Sequence, residues 1–102
     1  MRSDQNPQSF ELHSPVWYRT SRDTAWRTGI SFCLSTRGAV IHTDDPPSVF
    51  DAVDVVIAIS DTGCLAGRGR VIRTQPSGGA SLSGDFSIAV DHYSIGHRDT
   101  VL

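Results

Sequence analysis

Along much of the chain, apolar and polar residues alternate in short stretches closed by turn residues. The clearest stretch has Val53, Val55, Ile57 and Ile59 on one parity and Asp54, Val56, Ala58 and Ser60 on the other. A period of two places one set on a buried face and predicts a strand. Phe10–Arg19 predicts another, with Val16 and Tyr18 alternating against Trp17 and Arg19. In Ala25–Leu34, residues Trp26, Thr28, Ile30, Phe32 and Leu34 share a parity, and Gly29 marks a bulge or a barrel bend. A polar turn at Ser35–Gly38 leads into a strand at Gly38–Thr43, which stops at Asp44-Asp45-Pro46-Pro47 because proline has no N–H for a ladder.

Downstream, Ser48–Asp51 reads as a single helical turn or a loop. Asp61-Thr62-Gly63 reads as a turn, and Cys64–Thr74 as a strand with Gly67 and Gly69 on one face. Gln75–Asp85, with Pro76, Gly78, Gly79 and Gly84, reads as a flexible hairpin loop before a last strand carrying Phe86, Ile88 and Val90. No helix of three turns is predicted. Short strands at hairpin spacing imply an all-β fold, a small six-stranded antiparallel barrel with little or no helix. The expected core contains Ile30, Phe32, Ile41, Val55, Ile57, Ile59, Val71 and Ile88. The expected organisation is a flexible N-terminal arm over 1–9, the barrel over 10–96 and a tail over 97–102.

Composition narrows the function more than the fold. The 102 residues suit one domain with a modest core. A net charge of −2 argues against a nucleic-acid coat or an anionic-membrane binder. All 9 basic residues are arginine, a side chain suited to bidentate contacts with carboxylate and phosphate. Codon bias is the simpler explanation. The 2 cysteines, Cys33 and Cys64, fall in predicted strands and read as reduced core residues. With no signal-peptide pattern and no membrane-spanning run, the expected location is cytoplasmic, without membrane insertion.

The turn Cys33-Leu34-Ser35-Thr36-Arg37-Gly38 resembles the [Asp/Asn]-x-Ser-x-x-Gly junction of bacterial PilZ domains, with cysteine at the acidic position. The apolar strand and acidic-proline stop that follow, then Gly69-Arg70-Val71-Ile72-Arg73 and Phe86-Ser87-Ile88-Ala89-Val90, are similar to PilZ segments in the same order. The resemblance spans roughly Phe10 to Tyr93. It implies a six-stranded barrel, a signalling role and cyclic di-GMP as ligand. In that family an Arg-x-x-x-Arg motif ahead of the first strand supplies most arginine contacts. Here Arg2 is the only arginine before Phe10, and Cys33 cannot replace a carboxylate at guanine.

The candidate ligand residues are therefore Arg19, Arg22, Cys33, Ser35, Arg37 and Gly38. The expectation is a PilZ-like signalling or adaptor domain with a degenerate nucleotide site, binding cyclic di-GMP weakly or not at all and working through a protein partner. Ser35 and Gly38 also have a sufficient explanation as turn residues.

The alternative is a small nucleic-acid-binding barrel, with Arg68, Arg70 and Arg73 beside Trp17, Trp26 or Tyr93, which net acidity disfavours. An enzyme has no support: His13, His42, His92 and His97 lack metal-ligand spacing, Asp44-Asp45 reads as a solvated turn, and Gly79-Ala80-Ser81-Leu82-Ser83 fails the nucleophile-elbow pattern. No catalytic residue, metal or cofactor is expected.

Overall fold

The computed structural model describes residues 9–11, 13–76 and 84–102, with backbone alone for 9–11 and 76. The expected N-terminal arm, apart from Ser9, and the centre of the expected hairpin loop at 77–83 lie outside the described residues.

Seven strands follow in order: β1 Ser9–Glu11, β2 Pro15–Thr20, β3 Arg27–Ser35, β4 Gly38–Thr43, β5 Ala52–Ala58, β6 Gly63–Pro76 and β7 Gly84–His97. One helical turn, α1 Arg98–Val101, follows β7. All pairings are antiparallel, and β3–β2–β5–β6–β7–β4 closes back on β3. β1 and β2 both pair with β3, at Cys33–Ser35 and Arg27–Ile30 respectively, so they form two halves of one barrel strand. The architecture is thus a closed six-stranded barrel.

Val16, Tyr18, Leu34, Ile41, Val53, Val55, Ile57, Val71, Phe86, Ile88 and Val90 fill the interior. Tyr18 sits at the centre, its ring 5.0 Å from that of Phe86 and its hydroxyl 2.6 Å from Thr43 Oγ1. Thr43 Oγ1 also donates to the Thr28 carbonyl, so the buried polar pair is tied to the backbone.

Five of the eight expected core residues are buried, namely Ile41, Val55, Ile57, Val71 and Ile88. Ile30, Phe32 and Ile59 are not: they are 42%, 39% and 45% exposed. The reason in β3 is a register shift between Ser31 and Cys33. It inserts one residue into the alternation, so Leu34 points inward while Ile30 and Phe32 point outward. The inward positions before the bulge are Gly29 and Ser31, small because the interior there is already filled. A Cβ on Gly29 would lie 2.6 Å from the His42 carbonyl oxygen and 3.0 Å from Ile41 Cγ2. Ile59 lies past the end of β5, in a turn where its N–H donates to the Gly63 carbonyl.

β7 runs to His97, seven residues beyond the expected Val90. The outer face of β5 and β6 carries a second apolar patch, Val56, Ala58 and Cys64, all buried. The turn α1 packs against β5, β6 and β7. Both cysteines remain thiols. Ser48–Asp51 is a turn and loop, not a helical turn, and within it Phe50 has φ 76°.

Candidate functional site

The β3–β4 turn is held mainly by backbone geometry. Ser35 Oγ accepts from Arg37 N–H and donates to the Gly38 carbonyl, both at 3.4 Å. These are long contacts of a turn serine. Val90 N–H donates to the Arg37 carbonyl at 2.8 Å and pins the turn to β7. Gly38 pairs with Ala89, and a Cβ there would collide with the Ile88 carbonyl oxygen. Glycine is required because two backbones meet there, whether or not a ligand binds.

Four of the six candidate residues come together at this turn. Cys33, Ser35, Arg37 and Gly38 line an open depression of about 390 Å³, whose remaining wall includes Val40 and Ile72. Arg37 is exposed, and among the described arginines it alone has no side-chain partner. The depression offers one guanidinium and two hydroxyls, Ser35 and Ser87, against an apolar wall. Among the described residues, its lining contains no carboxylate and no second arginine.

Arg19 and Arg22 lie elsewhere. Arg22 Nη2 donates to Asp51 Oδ2 at 2.9 Å. Arg19 is 3.8 Å from Asp54 and stacks over the Trp26 ring at 4.2 Å. Both Arg19 and Trp26 line a different groove, of about 460 Å³, on the outer face of β5–β7. Its charged residues are Arg19, Arg68, Asp54 and Asp91, balanced in number, and Arg68 donates to Asp54 at 2.7 Å.

The arginines of the nucleic-acid alternative are likewise engaged. Arg70 donates to the Phe50 carbonyl at 2.8 Å, and Arg73 to Gln75 Oε1 at 3.5 Å. Trp17, Trp26 and Tyr93 are half-buried rather than exposed, and the two indoles lie beneath Arg98 and Arg19. The Tyr93 hydroxyl is buried with no hydrogen-bond partner among the described residues, and burial pushes its pKa up to about 12.

One cluster was not foreseen. Phe32, turned outward by the bulge, stacks on His42 at 5.7 Å and meets His13 at 5.5 Å. His42 Nδ1 lies 2.8 Å from Asp85 Oδ1 across the β4–β7 pair. His42 and Asp85 could be paired only once the register was known. Among the described residues no group of histidine, cysteine and acidic side chains is arranged to hold a metal.

No family model matches the chain, and no curated protein matches it. Among solved structures, it is similar to the inhibitor of motility MotI/DgrA from Bacillus subtilis, with a TM-score of 0.68 and 11% identity over 92% of this chain. The likeness is one of fold. It supports the small antiparallel barrel expected from the order of the segments. This chain spans 46% of that solved chain, less than half its length.

Proposed function

We propose that this barrel is a PilZ-like regulatory adaptor that acts through protein contacts, without catalysis, in the cytoplasm, and that it binds cyclic di-GMP weakly or not at all. One observation carries the reading: at the turn where the family's ligand contacts would converge, Arg37 is the sole guanidinium among the described residues. Arg19 and Arg22 are committed to Asp54 and Asp51 at other places on the barrel.

A ligand with two phosphates and two guanines must exchange its hydration for charged protein donors. One exposed arginine, a cysteine in place of a carboxylate and two hydroxyls replace too little of it. The apolar wall of Val40 and Ile72 suits a protein side chain better than a phosphate. Among the described residues no helix is long and apolar enough to cross a membrane.

Calorimetric titration with cyclic di-GMP tests the nucleotide part, beside a pull-down for partners. The expected result is no saturable heat in the micromolar range. Low-micromolar binding that disappears in Arg37→Ala or Arg22→Ala would overturn it, by showing that arginines after the first strand had taken over the missing role.

A further inference from the structure

β5 and β6 carry apolar residues on both faces. The inward set belongs to the barrel core, whereas Val56, Ala58 and Cys64 are buried outside it. Val56 pairs with Trp17, Ala58 with Cys64, and Cys64 with Gly96, so an outward apolar strip runs from β2 to β7. Residues directly opposite across strands share a face. An antiparallel sheet turns such a face to solvent unless another element covers it. Here α1 lies over it. Val101 sits on Gly96, where an added Cβ would be 3.2 Å from Val101 Cγ2.

The cover is held at few points. α1 is four residues long, none of them buried, and Leu102 N–H closes it on the Arg98 carbonyl at 3.0 Å. So short a turn has no helical stability of its own. Arg98 makes most of its polar attachments. The Arg98 N–H donates to the Thr62 carbonyl at 2.9 Å, and Nη2 donates to the carbonyls of Ser60, at 3.0 Å, and Asp61. The guanidinium also lies over the Trp17 ring, 5.6 Å from its centroid.

We infer that α1 is a strap latched by Arg98, which opens while the barrel stays folded and uncovers the outward strip. Val56 and Val101 already line the groove of about 460 Å³ beside α1. Opening extends that groove over Ala58 and Cys64. Cys64 is a built-in reporter, because its thiol is buried on the strip and not in the core.

Native-state labelling of the full chain with N-ethylmaleimide tests this, with peptide mass spectrometry separating Cys64 from Cys33. Cys64 is expected to react more slowly than the half-buried Cys33. Its rate should be nearly independent of urea below the unfolding transition, because opening α1 exposes little surface. Arg98→Ala is expected to fold, to speed Cys64 by about tenfold or more, and to leave Cys33 unchanged. A Cys64 that reacts only through global unfolding, with the full urea dependence of that transition, overturns the inference. So does a Cys64 as reactive as Cys33, or a rate indifferent to Arg98→Ala. An Arg98→Ala chain that fails to fold overturns it too, because the barrel does not depend on a strap.

Discussion

Gly38→Ala separates the two meanings that a glycine at this turn can have. If Gly38 serves a ligand, the substitution leaves the unliganded barrel intact and affects binding alone. In this structure the new Cβ would collide with the Ile88 carbonyl oxygen, a backbone atom that cannot rotate away. Its other near neighbours are the Ile88 carbonyl carbon at 3.3 Å and Ala89 Cα at 3.6 Å, so β4 and β7 must separate locally. Forcing one extra carbon into a packed site costs about 1–3 kcal/mol. For a domain of this size each kcal/mol lowers Tm by roughly 5 °C, so the expected loss is about 5–15 °C. Ser35→Ala is the control. It removes two hydrogen bonds of 3.4 Å and is expected to cost under about 0.5 kcal/mol. Thermal unfolding without ligand, followed by circular dichroism, reads both. A Gly38→Ala protein that melts with the unsubstituted one would refute the close-approach argument and return the glycine to a ligand role.

Three further outcomes follow from side chains away from the turn. Asp23 Oδ2 accepts from Thr20 N–H at 2.8 Å, Thr20 Oγ1 at 3.2 Å and Arg27 Nε at 3.1 Å, so Asp23→Ala is expected to cost about 1–2 kcal/mol in denaturant unfolding. The Thr20 backbone bond, with Arg27 nearby, holds the Asp23 carboxyl below the ordinary carboxylate range. Its contribution is therefore present above the unfolded-state pKa and lost as pH falls through the folded one, a dependence that Asp23→Ala should remove. Burial raises the Tyr93 phenol to about 12 and also raises Tyr18, so in ultraviolet titration of the folded protein Tyr93 should stay un-ionised at pH 10 and Tyr18 should ionise at higher pH than a free phenol. Since the folded state disfavours the phenolate, stability should decline as pH rises from about 10 toward 12; normal titration of both tyrosines in the folded barrel would contradict their burial. Phe50 holds φ 76° with its side chain 72% exposed, so Phe50→Gly relieves backbone strain and loses little packing. It is expected to be neutral or stabilising by up to about 1 kcal/mol, and a clear destabilisation would show that the ring packs on something.

Legibility in the sequence followed how local each determinant is. β4 and β5 were readable because their alternation runs unbroken, with Ile41, Val53, Val55 and Ile57 all facing inward. In β3 the same reasoning failed past one residue, because a bulge between Ser31 and Cys33 shifts the parity and no residue type announces it. In the sequence Gly29 is the irregular position, yet its role is close packing against β4, and the bulge lies farther along. Similarly, Val56 and Ala58 fit an outward parity but are buried, because the outer face of β5 and β6 is also covered. At the site, the Ser35–Gly38 turn was legible because turn chemistry is local. The partners of Arg19 and Arg22 were not: Asp54 and Asp51 lie 35 and 29 residues away, within reach only through the β2–β5 pairing and the loop before β5. Cys33 and Ile72, remote in sequence, became neighbours through the closure of the barrel.

The adaptor reading makes its sharpest demand in the direction of gain. If the site lacks affinity because charged donors are absent, supplying them should create binding without altering the barrel. Cys33→Asp alone adds an acceptor for guanine but also places a carboxylate at a half-buried position, and with Arg37 as the one nearby cation among the described residues it should not bind measurably. Asp4→Arg and Gln8→Arg add the spaced arginine pair ahead of the first strand. Hydrogen bonds to charged groups contribute about 1.5–3 kcal/mol each. Three such groups gain roughly 4–9 kcal/mol before the cost of ordering the side chains, which removes part of it. Moving from millimolar to micromolar affinity takes about 4 kcal/mol, so the triple variant should reach measurable binding while each partial variant stays below it. Calorimetric titration of all the variants, with Tm values matched to the starting protein, gives the answer. A triple variant that folds normally and binds no better than the unsubstituted chain would mean that missing charges are not the obstacle. The apolar wall of Val40 and Ile72 would then be the part of the depression that excludes the nucleotide, and Ile72→Ser in the triple background would be the change expected to admit it.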